Sequence, residues 1–287
     1  ESTIILSKKL YASVQKLKDL PSHIEVHPAH GSGSLCGSGI GKAISFTLED
    51  QWYSNPYLAK DLNEDSFLEL FTKNSIPLPS YYATMKTLNC IGAKPMEQIV
   101  KPKPMNVADF AAVVYADEFI LDLRDALSFG AAHMGGAVNI GSMDMITSWG
   151  GWVLPYDAPV YLVIPDEKKL DEIIINFARI GLDNIVGYLQ PGITQWIKSG
   201  EDFTDTPQAS IHFVDDLLDA NERMTIIDVR SKEEYVAGHI KNARNIYLGH
   251  LKDFKKLPSK DETIFCICGG GTRSSLGASI LGKIGYE

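Results

Sequence analysis

The residues best placed to do chemistry in this chain are Cys268-Gly-Gly-Gly-Thr-Arg273-Ser274. An apolar run precedes them and a helix is expected to begin near Ser274. Three consecutive glycines can take positive φ and turn successive backbone N–H groups inward, which makes an anion nest at a helix N-terminus. A thiol on the rim of such a nest meets main-chain amides, the helix dipole and the Arg273 guanidinium, all of which favour thiolate over thiol. A pKa lowered by about two units is worth roughly 2.7 kcal/mol. Cys268 is therefore expected to be a largely ionised nucleophile, with Arg273 as its catalytic partner. Gly269, Gly270, Gly271, Thr272, Ser274 and the upstream Arg230 are expected to bind the substrate.

The elements that must position this loop occur twice. Ile120–Ile140, ILDLRDALSFGAAHMGGAVNI, lies over Ile226–Ile246, IIDVRSKEEYVAGHIKNARNI, without a gap and at an offset of 106. Asp122 pairs with Asp228, Arg124 with Arg230, His133 with His239 and Asn139 with Asn245. Further along, the run Val160–Ile164 parallels Ile264–Cys268, within the apolar run that starts at Thr263, at an offset of 104, which sets Ile164 against Cys268. In each unit a β-branched run ends in Asp-x-Arg, as a buried parallel strand ending in a polar loop would. Leu170, Ile173, Ile174, Phe177 and Ile180 follow the 3.6 period of a core-facing helix. Strands alternating with helices imply a parallel α/β sheet in each unit. Asp228 and Arg230 recur in the unit that lacks a thiol and are expected to be mostly a structural ion pair, and His239 is expected to be structural. Cys266 and Cys90 are expected in the core.

The second unit, IIDVRSKEEYVAGHIKNARNI followed by CICGGGTRSS, resembles a rhodanese (sulfurtransferase) domain. The resemblance implies that Cys268 accepts a sulfane sulfur as a persulfide, stabilised by the loop amides. The first unit has IPDEKK where the second has the cysteine loop, so residues 104–204 resemble an inactive rhodanese-like domain and residues 205–287 an active one. Lys101–Pro104 is expected to be a linker, and Leu189–Trp196 the closing turn of the first unit.

Residues 1–103 resemble the C-terminal part of a metallo-β-lactamase αββα fold, through EVHPAHGSGSLCG and SIPLPSYYATMKTLNCIG. Within them, Ser7 is expected to cap a helix with Leu10, Val14 and Leu17 on one face, and Ile24–Val26 to form a short strand. The order of parts is similar to that of a persulfide dioxygenase-rhodanese fusion. That resemblance implies an Fe(II) cofactor in the complete lactamase-fold domain and none for the rhodanese unit. It makes His30 a candidate lining residue of the metal site, and Cys36 is a candidate secondary thiol. The H-x-H-x-D-H motif of the family is absent, and one histidine leaves the other ligands unsupplied. The chain is therefore expected to be the later part of a longer protein, with a closing segment like GYLQPGITQW expected beyond Glu287.

Composition narrows the partners. The chain has 287 residues, 45% hydrophobic and 22% charged, which is globular. Its net charge of −9 opposes phosphate binding, so nucleic acid is excluded as a partner. With no apolar run that could span a bilayer and no signal peptide, the sequence reads as soluble and cytoplasmic, without a membrane partner. Four cysteines are too few and too oddly spaced for a disulfide framework. The expected partners are small-molecule persulfides, thiosulfate, sulfite and low-molecular-weight thiols; a homo-oligomer is compatible with the sequence. Two rivals stand beside this reading. One is a phosphatase or arsenate reductase of the C-x5-R type, against which Ile267 stands where a tyrosine phosphatase would have histidine. The other is a non-catalytic tandem rhodanese docking module.

Overall fold

The computed structural model describes residues 3–27, 44–73, 79 and 81–286, and the chain divides into two compact units, Glu1–Leu78 and Pro79–Glu287. His30 and Cys36 lie outside the described residues. Among those residues no helix is long and apolar enough to cross a membrane.

The first unit contains α1 (Thr3–Lys18), β1 (Glu25–Val26), β2 (Phe46–Thr47), α2 (Leu48–Ser54) and α3 (Glu64–Lys73). β1 and β2 pair antiparallel, Val26 opposite Phe46. Thr47 and Asp50 form a reciprocal capping box that starts α2 immediately after the strand. Ser7 lies inside α1 and is fully buried, so it does not cap that helix. Of the expected apolar face only Val14 is buried; Leu10 and Leu17 are exposed. The helix instead packs through Tyr11, whose ring meets the buried Phe67 of α3 at 5.4 Å.

The second unit holds both repeats. Its elements begin with α4 (Tyr82–Ile91), β3 (Lys103–Met105), α5 (Val107–Tyr115), β4 (Phe119–Asp122), α6 (Ala126–Ala131) and β5 (Val138–Asn139). There follow α7 (Met143–Val153), β6 (Val160–Val163), α8 (Leu170–Arg179), β7 (Ile185–Leu189) and α9 (Ile193–Lys198). The later repeat contributes α10 (Ile211–Asp219), β8 (Met224–Asp228), α11 (Lys232–Ala237), β9 (Arg244–Asn245), a 3-10 turn at Leu248–Asp253, β10 (Thr263–Ile267) and α12 (Thr272–Lys283). α4 packs here: a Cβ at Gly151 would overlap the Tyr81 ring, and one at Gly181 would overlap Leu88. That face runs through positions 81, 85 and 88, which leaves Cys90 exposed on the other side instead of in the core. The Lys101–Pro104 stretch is not a free linker, because Lys103–Met105 pairs parallel with β7 at the sheet edge, where a proline costs no ladder hydrogen bond.

All strand pairs in this unit are parallel, in the order β3-β7-β6-β4-β5 for the first sheet and β10-β8-β9 for the second. The expected α/β class, with a parallel sheet in each repeat, is thus realised. The repeat is visible in the register: Asp122 lies opposite Val163 and Asn139, and Asp228 opposite Ile267 and Asn245. Ile164 and Cys268 consequently occupy the same place, one residue past the equivalent strand.

Strand periodicity then decides where Cys268 points. Ile264, Cys266 and Cys268 pack on one core cluster with Ile227 and Val229, while Phe265 and Ile267 face another with Ile226 and Val214. The first cluster also takes Leu121, Leu123, Val160, Leu162 and Ile164 from the other repeat. The two repeats share one core, and Cys268 stands at the end of the face that looks into it.

Candidate active site

β10 stops at Ile267 and α12 begins at Thr272, so the loop between them is Cys268–Gly271. Only Gly271 adopts a positive φ, +89°; Gly269 and Gly270 lie outside the left-handed region. Gly271 is also the N-cap of α12 and has no side chain with which to satisfy the first-turn amides. The cysteine sulfur takes that place. Cys268 Sγ accepts from Gly271 N at 3.1 Å and from Ser274 N, three residues into the cap, at 3.3 Å. Ser274 Oγ stands 3.5 Å from the sulfur and donates to the Gly271 carbonyl at 2.9 Å. Sγ thus accepts as a capping oxygen would, which favours an anion at this position. Partial burial pushes the Cys268 thiol up, but the contact with Ser274 Oγ and the bonds from the amides of Gly270, Ser274 and Gly271 outweigh it, and the net shift is downward. Burial and the neighbouring Cys268 charge push Cys266 up to about 12, which leaves Cys268 as the one acidic thiol of the strand.

Arg273 behaves differently from the sequence expectation. Its guanidinium does not point into the nest; Nη1 and Nη2 donate to the two carboxylate oxygens of Glu234 at 2.7 and 2.8 Å. The pair holds Glu234 down at about 2 and raises Arg273 above its ordinary value. Glu234 is also the third residue of α11, where it completes a capping box with Ser231. The arginine therefore ties the start of α12 to the start of α11, and amides rather than a guanidinium carry the hydrogen bonding to sulfur. Four residues, not five, separate Cys268 from Arg273, so the spacing is not that of a C-x5-R enzyme. Glu234 is the site residue that sequence reasoning missed. Its signal was the Ser-x-x-Glu capping spacing, which says nothing about a partner 39 residues away.

Arg230 lies close by but is likewise engaged. Nε and Nη2 donate to Asp228 at 2.6–3.1 Å, and Nη2 also reaches the Gly238 carbonyl at 2.8 Å. The first repeat copies this: Arg124 donates to Asp122 and to the Ala132 carbonyl. His239 stacks on Tyr235 at 3.7 Å and His133 on Phe129 at 3.8 Å, each with Nδ1 at a carbonyl four residues back. These shared residues build the strand-to-loop corner in both repeats, with or without a thiol. Thr272 opens α12, and Gly269 backs onto Arg273, whose Nη2 would lie 3.5 Å from an added Cβ.

A family model described as a rhodanese-like domain matches residues 210–287. The C-terminal repeat is a rhodanese-like domain. Over 89 residues the chain is 30% identical to a putative sulfur carrier protein of Bacillus subtilis (strain 168), covering 31% of this chain and 48% of that protein. Another 36% identity over 62 residues links the chain to a thiosulfate sulfurtransferase of Escherichia coli (strain K12), covering 21% and 60% respectively. A metallo-β-lactamase from Staphylococcus aureus subsp. aureus COL is 26% identical in its crystal structure, with a TM-score of 0.51, over 65% of this chain and 51% of that one. The chain spans about half the length of these proteins. Coverage of 65% is more than the unit Glu1–Leu78 could supply, so the likeness to the S. aureus protein extends into the repeats that hold the rhodanese-like domain.

Among the described residues no group of three or more His, Cys, Asp or Glu side chains could hold a metal ion. The iron expected for a complete lactamase-fold domain has no ligand set there.

Proposed function

We propose that this chain carries out sulfur transfer through Cys268. The observation that carries this reading is the pair of main-chain amides, Gly271 and Ser274, that meet Sγ at 3.1 and 3.3 Å. In the first half-reaction the Cys268 thiolate attacks the outer sulfur of a thiol persulfide or of thiosulfate. A Sγ–S bond forms, the donor's S–S bond breaks, and the donor leaves as thiolate or as sulfite. The electron pair returns in the second half: a thiolate or sulfite attacks the outer sulfur of the Cys268 persulfide, and Cys268 departs as thiolate. No external oxidant or reductant is needed. The amides stabilise the sulfur anion in its free and persulfide forms, which is where negative charge develops. Likeness to a sulfurtransferase and to a sulfur carrier protein supports the same chemistry.

The wider assignment is a persulfide dioxygenase-rhodanese fusion acting in sulfide and persulfide metabolism in the cytoplasm. In it, an iron-dependent domain would produce the sulfite that the rhodanese-like domain combines with sulfane sulfur. The likeness to the S. aureus protein supports a lactamase-fold partner domain, and the transfer chemistry above stands without iron.

Intact-mass analysis after exposure to a small thiol persulfide tests the proposal. One added sulfur atom on Cys268, discharged by sulfite or cyanide and absent in Cys268→Ala, is the expected result. No loading on Cys268 would overturn it in favour of a docking module, and hydrolysis of an aryl phosphate without sulfur loading would favour a phosphatase.

A further inference from the structure

α12 supplies the Ser274 amide to the sulfur, yet much of what fixes that helix lies in the other repeat. Ser275 and Ser279 stand one turn apart on its buried face. Ser275 Oγ donates to Asn139 Oδ1 at 2.7 Å, and the Asn139 N–H donates to Ser279 Oγ at 2.9 Å. Asn139 is fully buried, and its Nδ2 donates to the carbonyls of Asp122 and Arg124 at 3.0 and 2.9 Å. The carboxamide and main-chain N–H are therefore all engaged, and the geometry runs unbroken from the Asp-x-Arg corner of the first repeat to the residue after Ser274.

The arrangement is one-sided. Asn245, the counterpart of Asn139, makes the same two Nδ2 bonds, to Asp228 and Arg230. At the offset of 104 the counterparts of Ser275 and Ser279 are Asp171 and Ile175, both exposed on α8, and neither offers this hydroxyl pair. The clasp is built only where it reaches the helix of the reactive loop.

We propose that Asn139 is a positioning residue for Cys268: through Ser275 and Ser279 it sets the rotation and height of α12, and so the placement of the Ser274 amide against Sγ. The catalytically silent repeat thereby serves as the jig for the reactive one. This rests on Cys268 being the sulfur carrier, but its readout needs no sulfur donor.

The experiment follows the pH dependence of Cys268 alkylation by iodoacetamide, with mass mapping to separate it from other cysteines. The charged groups that act on the sulfur are Cys266 on the preceding strand and Arg273 on α12, and Arg273 in turn faces Glu234, Asp228, Arg230 and Tyr247. None is altered in the variants used. Ser275→Ala and Asn139→Ala are expected to move the alkylation midpoint to higher pH by about one, with up to about tenfold less thiolate at a fixed pH below both midpoints. Val214→Ala, in a separate core cluster, serves as a control that loses stability without touching the clasp, and its midpoint is expected to stay with that of the unaltered protein. An unmoved midpoint in Ser275→Ala overturns the proposal, as does an equal rise in Val214→Ala. Should Asn139→Ala not fold, Ser275→Ala decides alone. Failure of the unaltered protein to load sulfur would sink the proposed function while leaving these midpoints interpretable.

Discussion

Replacing Gly271 by alanine separates backbone geometry from side-chain packing at the sulfur. No atom lies within 4 Å of the Cβ that the substitution adds, so neighbours impose no cost. The cost comes from φ of +89°, where an L-residue pays about 1–2 kcal/mol. Relaxing that strain turns the peptide plane between residues 270 and 271 and takes its N–H off Sγ, from 3.1 Å in the native arrangement. A hydrogen bond to a charged acceptor is worth about 1.5–3 kcal/mol, equivalent to a pKa change of roughly one to two. Because the lost donor favours the thiolate, the thiol's pKa must rise, and thiolate at a fixed pH below both midpoints falls about tenfold or more. Gly270→Ala is the matched control: it too has open space, and its backbone lies outside the left-handed region. Alkylation rate against pH, read beside thermal unfolding, gives both quantities. If Gly271→Ala leaves the midpoint in place, or Gly270→Ala moves it further, amide placement does not set the acidity of this thiol.

The ion pair of Glu234 predicts an acid-stability difference. Glu234 titrates at about 2 against an ordinary 4.5, so its contribution is complete above 4.5 and is lost as pH falls through about 2. Its side chain is 40% exposed, which screens the contribution to about 1 kcal/mol. Glu234→Gln keeps the capping box, since glutamine serves at that position; denaturant melts should show the native protein losing stability over this range relative to the variant, and parallel acid profiles would contradict the pairing. Cys266, pushed up to about 12, should resist alkylation at neutral pH while the exposed Cys90 reacts, and mass mapping that finds Cys266 modified first would contradict its burial. Gly249→Ala would set a Cβ 2.7 Å from the Trp152 ring and 2.9 Å from Tyr247, neither of which can yield by rotating a flexible tip. About 1–3 kcal/mol of destabilisation is expected from that overpacking, read as a lower unfolding midpoint; no change would show that the two rings move freely.

Periodic and punctuating features were legible without coordinates. The 106 and 104 offsets placed Ile164 over Cys268, and the strand registers of both sheets reproduce that alignment. The buried stripe of α8 and a glycine turn leading into a helix were readable for the same reason, since both are set by residues a few positions apart, although only Gly271 of the three glycines takes the positive φ and the helix starts at Thr272 rather than near Ser274. Elements without such a pattern were misjudged. Lys103–Met105 looked like a linker because its proline signals a turn locally, whereas its pairing depends on β7 more than eighty residues later. Leu10 and Leu17 share a helical spacing, but α3 covers a different side of α1.

The residue types around Cys268 were determined by sequence alone: a thiol, a helix start and glycines able to bend the chain between them. Which way the charges turn was decided only in three dimensions. Arg273 faces Glu234 rather than sulfur, and Asn139 grips α12 from the other repeat. Local order encodes backbone shape because neighbouring dihedrals act over a few residues; the destination of a long side chain depends on what the fold carries into its reach, and that is settled by packing between segments more than a hundred positions apart.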